Sequence, residues 1–437
     1  MKIRFLLSVF FMSLVFVVVL SDCTSLSVVL SFIIMPVMIY LSRGYKIFIF
    51  LLPFLWESFL LYPVYIVLLS EYNAVLSLVY FSAICVFLSA PLSFFIFSCL
   101  SKKYRAFAPF FYILILYLFR SEVFQTLPVI LIFQNDVMRR VAGFSFSPWL
   151  TTISLLYLSL SIFEILMKDR LRALCYFFVS LLFLFFPAVS KYNADASGFK
   201  IAGVQLSLLM RDFTDLKEII NFTDKMIRDD PDIKMVVYSE SPWLGFKNYN
   251  NSFFTKELIS YFMRRSLTEN VIYIFQVDSL DFSHDFINKV LTVKIENGML
   301  WYSGKSHLVP GWERGPGENY FSPELNKKTF KVSGMNFKTL ICYDALFMPS
   351  FFDRNYDVVI VQSNYGIFRV EAGKNAYEHM IKVSNILSWF SNASGRKSYI
   401  NVQNDGGSDF INSDGVRNDY LYYESLWNKS VKAMLRN

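Results

Sequence analysis

Three residues in the C-terminal half of this chain have the types needed for acyl transfer through a cysteine. Glu240 closes the apolar run "IKMVVYSE", Lys305 stands in "YSGKSHLVPGWE", and Cys342 closes "FKTLICY". A carboxylate can take a thiol proton as general base. An ammonium can favour both the thiolate and a developing oxyanion, and the thiol can attack a carbonyl. Each residue also has a plainer reading. A strand-end cysteine is more often packing, and a Glu or Lys beside a loop is usually solvated. Spacing alone does not choose between them.

The elements that must position these residues are legible from periodicity. "FKIAGVQLSL" (199–208), "IKMVVYSESPW" (233–243), "VIYIFQV" (271–277), "KVLTVKI" (289–295), "FKTLICY" (337–343), "YDVVIVQS" (356–363) and "SYINVQN" (398–404) read as strands. Helical stretches interleave with them. "DFTDLKEIINFTDKMIRDD" (212–230) is one, with Asp212 or Thr214 as its expected cap, and "FTKELISYFMRRS" and "NAYEHMIKVSNILSWF" are others. Alternation of this kind predicts a layered α/β domain over 199–437, with active residues gathering where strands end.

Residues 1–190 are of another kind. The whole chain has 437 residues, 54% hydrophobic and only 18% charged, with 47 Phe, and the apolar excess is concentrated ahead of Lys191. Spans of about 20 apolar residues suffice to cross a bilayer. They are expected at 5–21, 25–42, 47–70, 74–100, 107–119, 149–167 and 173–190, making a polytopic α-helical membrane domain of about seven helices. The 120–140 segment either extends the fifth span or forms a re-entrant stretch. Basic loops at Arg43/Lys46, Lys102/Lys103/Arg105 and Lys168/Arg170/Arg172 alternate with the loops "SDCTS" and "SEYNA", which lack Lys and Arg, and only the 120–148 connection, with Arg120, Arg139 and Arg140, breaks the pattern. That alternation puts the N-terminus in the cytoplasm and the 199–437 domain on the periplasmic or outer side of the cell's inner membrane. The net charge of +7 is explained by those loops and calls for no nucleic-acid partner. A basic start and apolar core also suit a signal peptide, and "LSDC" (20–23) a lipoprotein cleavage box, but Asp22 before the cysteine favours an uncleaved span. A transporter is the rival use for such spans, yet Glu57 and Glu164 are the clear intramembrane charges and no inverted repeat is evident. Of five cysteines, four lie in or beside apolar segments and only Cys342 belongs to the second half. No spacing suggests zinc, and no metal or other cofactor is expected.

The flanking residues carry a resemblance. "VVYSES" around Glu240, "GKSHLVPGWE" around Lys305 and "LICYDALFMPSFFDR" around Cys342 resemble the nitrilase (carbon–nitrogen hydrolase) superfamily. They are closest to its membrane branch, apolipoprotein N-acyltransferase. The family's Lys-x-His-Leu-Val-Pro stretch and following Glu match Lys305, His307 to Pro310 and Glu313. Its Ile-Cys-Tyr-Glu matches Ile341 to Asp344, with Asp344 in place of Glu. A Ser-Asn pair matches Ser363 and Asn364, a downstream His matches His379, and an Asn-x-Gly-x-Ser region matches "NDGGS" (404–408).

The resemblance implies an αββα layered sandwich and a catalytic set of Glu240, Lys305 and Cys342. Glu313, Tyr343, Asp344, His307, Ser363, Asn364 and Tyr238 would support the set or the substrate. It implies transfer of an acyl chain from a phospholipid donor, through a cysteine thioester, to the N-terminal amine of a lipoprotein, without a cofactor. Four departures bear on substrate. Tyr238 and Ser239 replace the family's Trp-Pro, "YGIF" replaces Asp-Ala-Trp-Phe after Ser-Asn, the Arg after the downstream His is missing, and the end of the chain is too polar for the family's last span. An amidase or acyltransferase acting on another amine or amide, as in a conjugal transfer system, is therefore an alternative. A non-enzymatic membrane assembly protein is a further one, disfavoured by the intact Glu, Lys and Cys.

Overall fold

A computed structural model describes residues 2–21, 24–145, 147–185, 198–210, 216–240, 251–278, 290–310, 313, 323, 328–350 and 355–435. The cap expected at Asp212 or Thr214 and the cysteine at 23 lie outside them. The chain divides into two compact units. One is Met1–Lys191 with Leu346–Arg354 and Ile367–Arg396, and the other is Tyr192–Ala345 with Asn355–Gly366 and Lys397–Asn437. The division is not a single cut in the sequence, because two segments beyond the strand-tip cysteine group with the N-terminal helices.

In the first unit every stretch expected to span forms helix, though not always one long rod. Ile3–Leu20, Leu26–Gly44, Ala74–Leu100 and Pro148–Leu166 are long and apolar enough to cross a membrane. The third expected span is two helices, Phe48–Leu60 and Tyr62–Glu71, bent by 68° at the break, so that up to five spans meet the criterion. Pro63 at the start of the second piece provides no N–H for the first piece to extend through. The fifth and seventh are the shorter helices Ala108–Leu118 and Arg170–Leu184. Residues 120–140 neither extend the fifth helix nor remain apolar throughout. They contain a buried 3₁₀ turn, Pro128–Gln134, and an amphipathic helix, Asp136–Phe144. The two carboxylates within the apolar helices, Glu57 and Glu164, are both partnered. Glu164 meets Arg105 at 2.6 Å, and Glu57 accepts a hydrogen bond from Thr126. The Gly373–Ala393 helix belongs to this unit: Phe390 stacks on Phe133 at 5.0 Å, and His379 Nε2 lies 2.9 Å from the Leu60 carbonyl at the helix break.

The second unit is built on two mixed sheets. Its strands are β1 (Lys200–Val204), β2 (Ile233–Tyr238), β3 (Ile272–Asp278), β4 (Val290–Glu296), β5 (Met299–Gly304), β6 (Thr329–Val332), β7 (Met335–Ile341), β8 (Val358–Ser363), β9 (Ser398–Gln403), β10 (Asp409–Ile411) and β11 (Ser430–Met434). The first sheet runs β11-β1-β2-β3-β4-β5 and the second β10-β9-β8-β7-β6. In each sheet three central strands are parallel (β1-β2-β3 and β7-β8-β9) and the outer strands pair antiparallel.

Side-chain alternation divides the core. Ile201, Met235, Val237 and Ile274 of the first sheet meet Phe337, Val358, Ile360 and Val402 of the second, forming a dry layer between the sheets. The opposite parity (Ala202, Val236, Tyr273 and Val293) packs under the helices Leu216–Asp229 and Asn251–Glu269, through Ile219, Met226 and Phe262. Gly203 leaves room for the facing sheet, since a Cβ there would meet Val402 at 3.0 Å. The protein is thus a helical region with several apolar helices followed by an α/β domain of two face-packed mixed sheets.

Candidate active site

The C-terminal ends of the parallel strands collect the polar residues that the sequence singled out. β7 ends at Ile341, and Cys342 begins a short 3₁₀ turn, Cys342–Leu346. Its φ is +44°, in the left-handed region that costs a residue with a Cβ roughly 1–2 kcal/mol. That bend takes the chain out of the strand, so the thiol stands at the strand tip with its Sγ 4.0 Å from the Asn364 carbonyl oxygen, beyond the end of β8.

Glu240, two residues past β2, and Lys305, directly after β5, complete the cluster. Lys305 Nζ lies 3.1 Å from Glu240 Oε1 and 2.6 Å from Glu313 Oε1. Glu240 and the Cys342 thiol lie close enough that each shifts the other's proton affinity. All four groups are buried. Lys305 is fixed at its own backbone by an N–H bond to the Val290 carbonyl at 2.8 Å. Glu313 uses its second oxygen to accept the Val309 N–H at 2.8 Å, so it ties the ammonium to the loop that follows.

Burial decides the charge states. Removal from water pushes the Glu240 carboxyl above its ordinary range, opposed by Lys305 and reinforced by Glu313. The Cys342 thiol is likewise pushed up, by burial first and by Glu240 second, with Lys305 pulling the other way. Burial works against the Lys305 ammonium, but Glu240 and Glu313 outweigh it and hold the group well above its ordinary value. The resting arrangement is a fixed cation beside a neutral thiol and a carboxyl poised to exchange a proton with it. Such a set can move the thiol proton and meet a developing negative charge.

A second cluster adjoins it. Asp344 Oδ1 accepts the His307 N–H at 2.7 Å, faces His307 Nδ1 at 2.8 Å and accepts the Ser306 N–H at 3.2 Å. Its other oxygen pairs with Lys328. Although burial opposes it, Lys328 and then His307 hold the Asp344 carboxyl well below the usual carboxylate range.

The remaining expected residues divide. Asn364 lends its carbonyl to the Cys342 surroundings and its Oδ1 to the Gly366 N–H. Ser363 Oγ donates to Asn401 Oδ1 at 2.8 Å, joining β8 to β9. Tyr343 follows Cys342 in the turn and is half-buried. Tyr238 does not join the cluster by its side chain. Strand parity turns its ring to the helical layer, where it packs on Phe262 and its hydroxyl meets Thr223 Oγ1 at 2.7 Å. Only its carbonyl faces inward, accepting from Gln362 Nε2 at 2.7 Å. His379 groups with the first unit, as described above. Two participants escaped sequence reading. Lys328, in "NKKTF", looks like one of a solvated pair, and Gln362, in an otherwise apolar strand, bridges Thr292 and the Tyr238 carbonyl.

No protein-family model and no curated protein matches the chain. Solved structures similar to it include the carbon-nitrogen hydrolase from Helicobacter pylori G27, at 13% identity and a TM-score of 0.37, covering 50% of this chain and 83% of that one. A mutant of the Nesterenkonia AN1 amidase from the nitrilase superfamily is similar at 14% identity and a TM-score of 0.39, covering 51% and 86%. Another mutant of that amidase, showing covalent addition of the acetamide moiety of fluoroacetamide at the active site cysteine, is similar at 15% identity and a TM-score of 0.38, covering 52% and 88%. Likeness at this level says nothing about substrate.

Proposed function

We propose that the second unit is a catalytic domain of the carbon–nitrogen hydrolase type, and that the chain is a membrane N-acyltransferase. Its acyl donor would be a phospholipid and its acceptor the N-terminal amine of a lipoprotein. The observation that carries the reading is the buried Lys305 ammonium held between Glu240 and Glu313, with the Cys342 thiol near enough to Glu240 for each to shift the other's proton affinity. The apolar helices support a lipid donor, since acyl chains held in a bilayer reach a membrane-mounted enzyme most readily. The alternating basic loops support a periplasmic or outer placement of the domain in a bacterial inner membrane.

In this mechanism Glu240 accepts the thiol proton as Sγ attacks the ester carbonyl carbon. The tetrahedral oxyanion forms in the field of Lys305. Collapse breaks the ester C–O bond, and the leaving alkoxide of the lysophospholipid takes the proton back from Glu240. The acceptor amine then attacks the thioester and loses a proton to Glu240. The C–S bond breaks, and the thiolate is reprotonated by Glu240, restoring the resting site. Exclusion of water from the thioester distinguishes transfer from hydrolysis.

Intact-mass analysis of the purified protein mixed with phospholipid tests this. A fatty acyl mass increment that maps to Cys342 and is discharged by an amine supports the reading. An increment formed from small amides but from no phospholipid would select an amidase instead.

A further inference from the structure

We propose that Lys328 is a positioning residue of this site: its ammonium and the Asp344 carboxylate form a buried clasp that sets the Lys305–His307 segment against the Cys342 turn. The inference rests on the proposed catalytic reading of Cys342.

The chain after β5 has no ladder to hold it. Lys305 is anchored through its N–H to Val290, one residue past the end of the β4–β5 ladder at Gly304. The next two amides are taken by one carboxylate, since the Ser306 and His307 N–H groups donate to Asp344 Oδ1 at 3.2 and 2.7 Å. Asp344 stands two residues after Cys342 in the same short turn. A single side chain therefore fixes the distance between the segment carrying the ammonium and the turn carrying the thiol.

That carboxylate is 2% exposed, and a buried charge is costly unless it is paired and hydrogen-bonded. Lys305 cannot pair with it, being held between Glu240 and Glu313. His307 offers a ring nitrogen to one oxygen, and the Lys328 amine meets the other, its charge opposed by burial and favoured by Asp344. Lys328 is itself placed by the second sheet. Its carbonyl accepts the Thr339 N–H of β7 at 3.0 Å, so its stem departs from a fixed point just ahead of β6. The neighbouring charges agree with this role. Lys338 and Lys305 act on Lys328 as like charges, and Asp344 is the carboxylate that opposes them.

The test uses the full-length protein in detergent, with Lys328→Met, Lys328→Arg and the double variant Lys328→Met/Asp344→Asn. Iodoacetamide alkylation of Cys342 is followed across about pH 6 to 10, the range in which thiols titrate, beside acyl adduct formation and thermal unfolding. Displacing the segment predicts a loss of about 10- to 100-fold in adduct formation for Lys328→Met, with a changed alkylation profile. Lys328→Arg keeps most of the rate. The double variant recovers part of the loss, because the unpaired buried carboxylate has gone with its partner. A lowered unfolding temperature with an unchanged alkylation profile would mean that Lys328 only stabilises the fold, and would overturn the proposal. Should Lys328→Met fail to fold, a Lys328→Arg profile unlike wild type, or a double variant no better than Asp344→Asn alone would overturn it as well. Alkylation needs no phospholipid, so an inert wild type in the lipid assay defeats the acyl-transfer reading without deciding the role of Lys328.

Discussion

Glu313 holds Lys305 by one oxygen, Oε1 to Nζ at 2.6 Å, while its other oxygen accepts the Val309 N–H at 2.8 Å. One carboxylate therefore sets both the ammonium and the loop behind it. Glu313→Gln keeps an acceptor for Val309 but removes the charge that faces Nζ. Acyl adduct formation should fall by about 10-fold, as for loss of one orienting interaction rather than of a reacting group. Rapid-quench mass spectrometry of the adduct measures it. A loss as large as that of Lys305→Met would make Glu313 more than a holder.

Lys305→Met retains the stem and removes the cation. The ammonium favours both thiolate and oxyanion, so its loss should raise the Cys342 pKa further and slow acylation by about 10²- to 10³-fold. Iodoacetamide reactivity against pH, compared with wild type, reads the first effect directly. Superimposable curves would remove Lys305 from the electrostatics of the thiol.

Glu240 must be ionised to accept a proton, and burial followed by Glu313 raises its pKa above the ordinary 4.5. Acylation should therefore fall as pH drops through this raised value, earlier than an exposed glutamate would allow. Glu240→Gln should lower the plateau by about 10²-fold and abolish that acidic limb. Near-normal turnover in the variant, or an unchanged limb, would assign the proton transfer elsewhere.

Much of this architecture is legible in the chain because the parallel strands are buried on both faces. "IKMVVY" and "VVIVQS" read as apolar runs bounded by polar residues, and they form β2 and β8. β5 is harder, since its first four residues are exposed or half-buried and only Ser303 and Gly304 are buried, and β6 has only four residues. Strand ends can be read as places where chemistry gathers, but which side chains meet there depends on parity and on distant partners. Tyr238 lies two residues from Glu240 in sequence and faces the other layer, whereas Lys328 comes from beyond the 305–313 loop to meet Asp344. Lys305 itself was found by the words around it, because a lysine ahead of a loop carries no periodic signal. The 68° break between Phe48–Leu60 and Tyr62–Glu71 is invisible to hydropathy, which averages over both pieces.

Orientation is testable without any activity. If the basic loops lie in the cytoplasm, a reporter active only outside the cytoplasm, fused after Asn437, should be on. Fusions in the Lys102–Arg105 loop should light only a cytoplasmic reporter. The reverse pattern would place the domain on the cytoplasmic side and remove a periplasmic lipoprotein as acceptor.

The left-handed backbone at Cys342 allows a last test in which stability and function part company. Cys342→Ala and Cys342→Gly both delete Sγ, so both should abolish the adduct on Cys342. They differ in what the φ of +44° costs. Alanine keeps a Cβ in a region that disfavours it by roughly 1–2 kcal/mol, whereas glycine enters it freely. Glycine gives back about 0.5–1 kcal/mol through the greater freedom of its unfolded chain. The Gly variant should therefore be more stable than the Ala variant by up to about 1.5 kcal/mol. Thermal unfolding of the two in the same detergent measures the difference. An Ala variant more stable than the Gly variant by about 0.5–1 kcal/mol, the entropy difference alone, would show that the turn carries no strain, and the thiol's position would then owe nothing to a strained backbone.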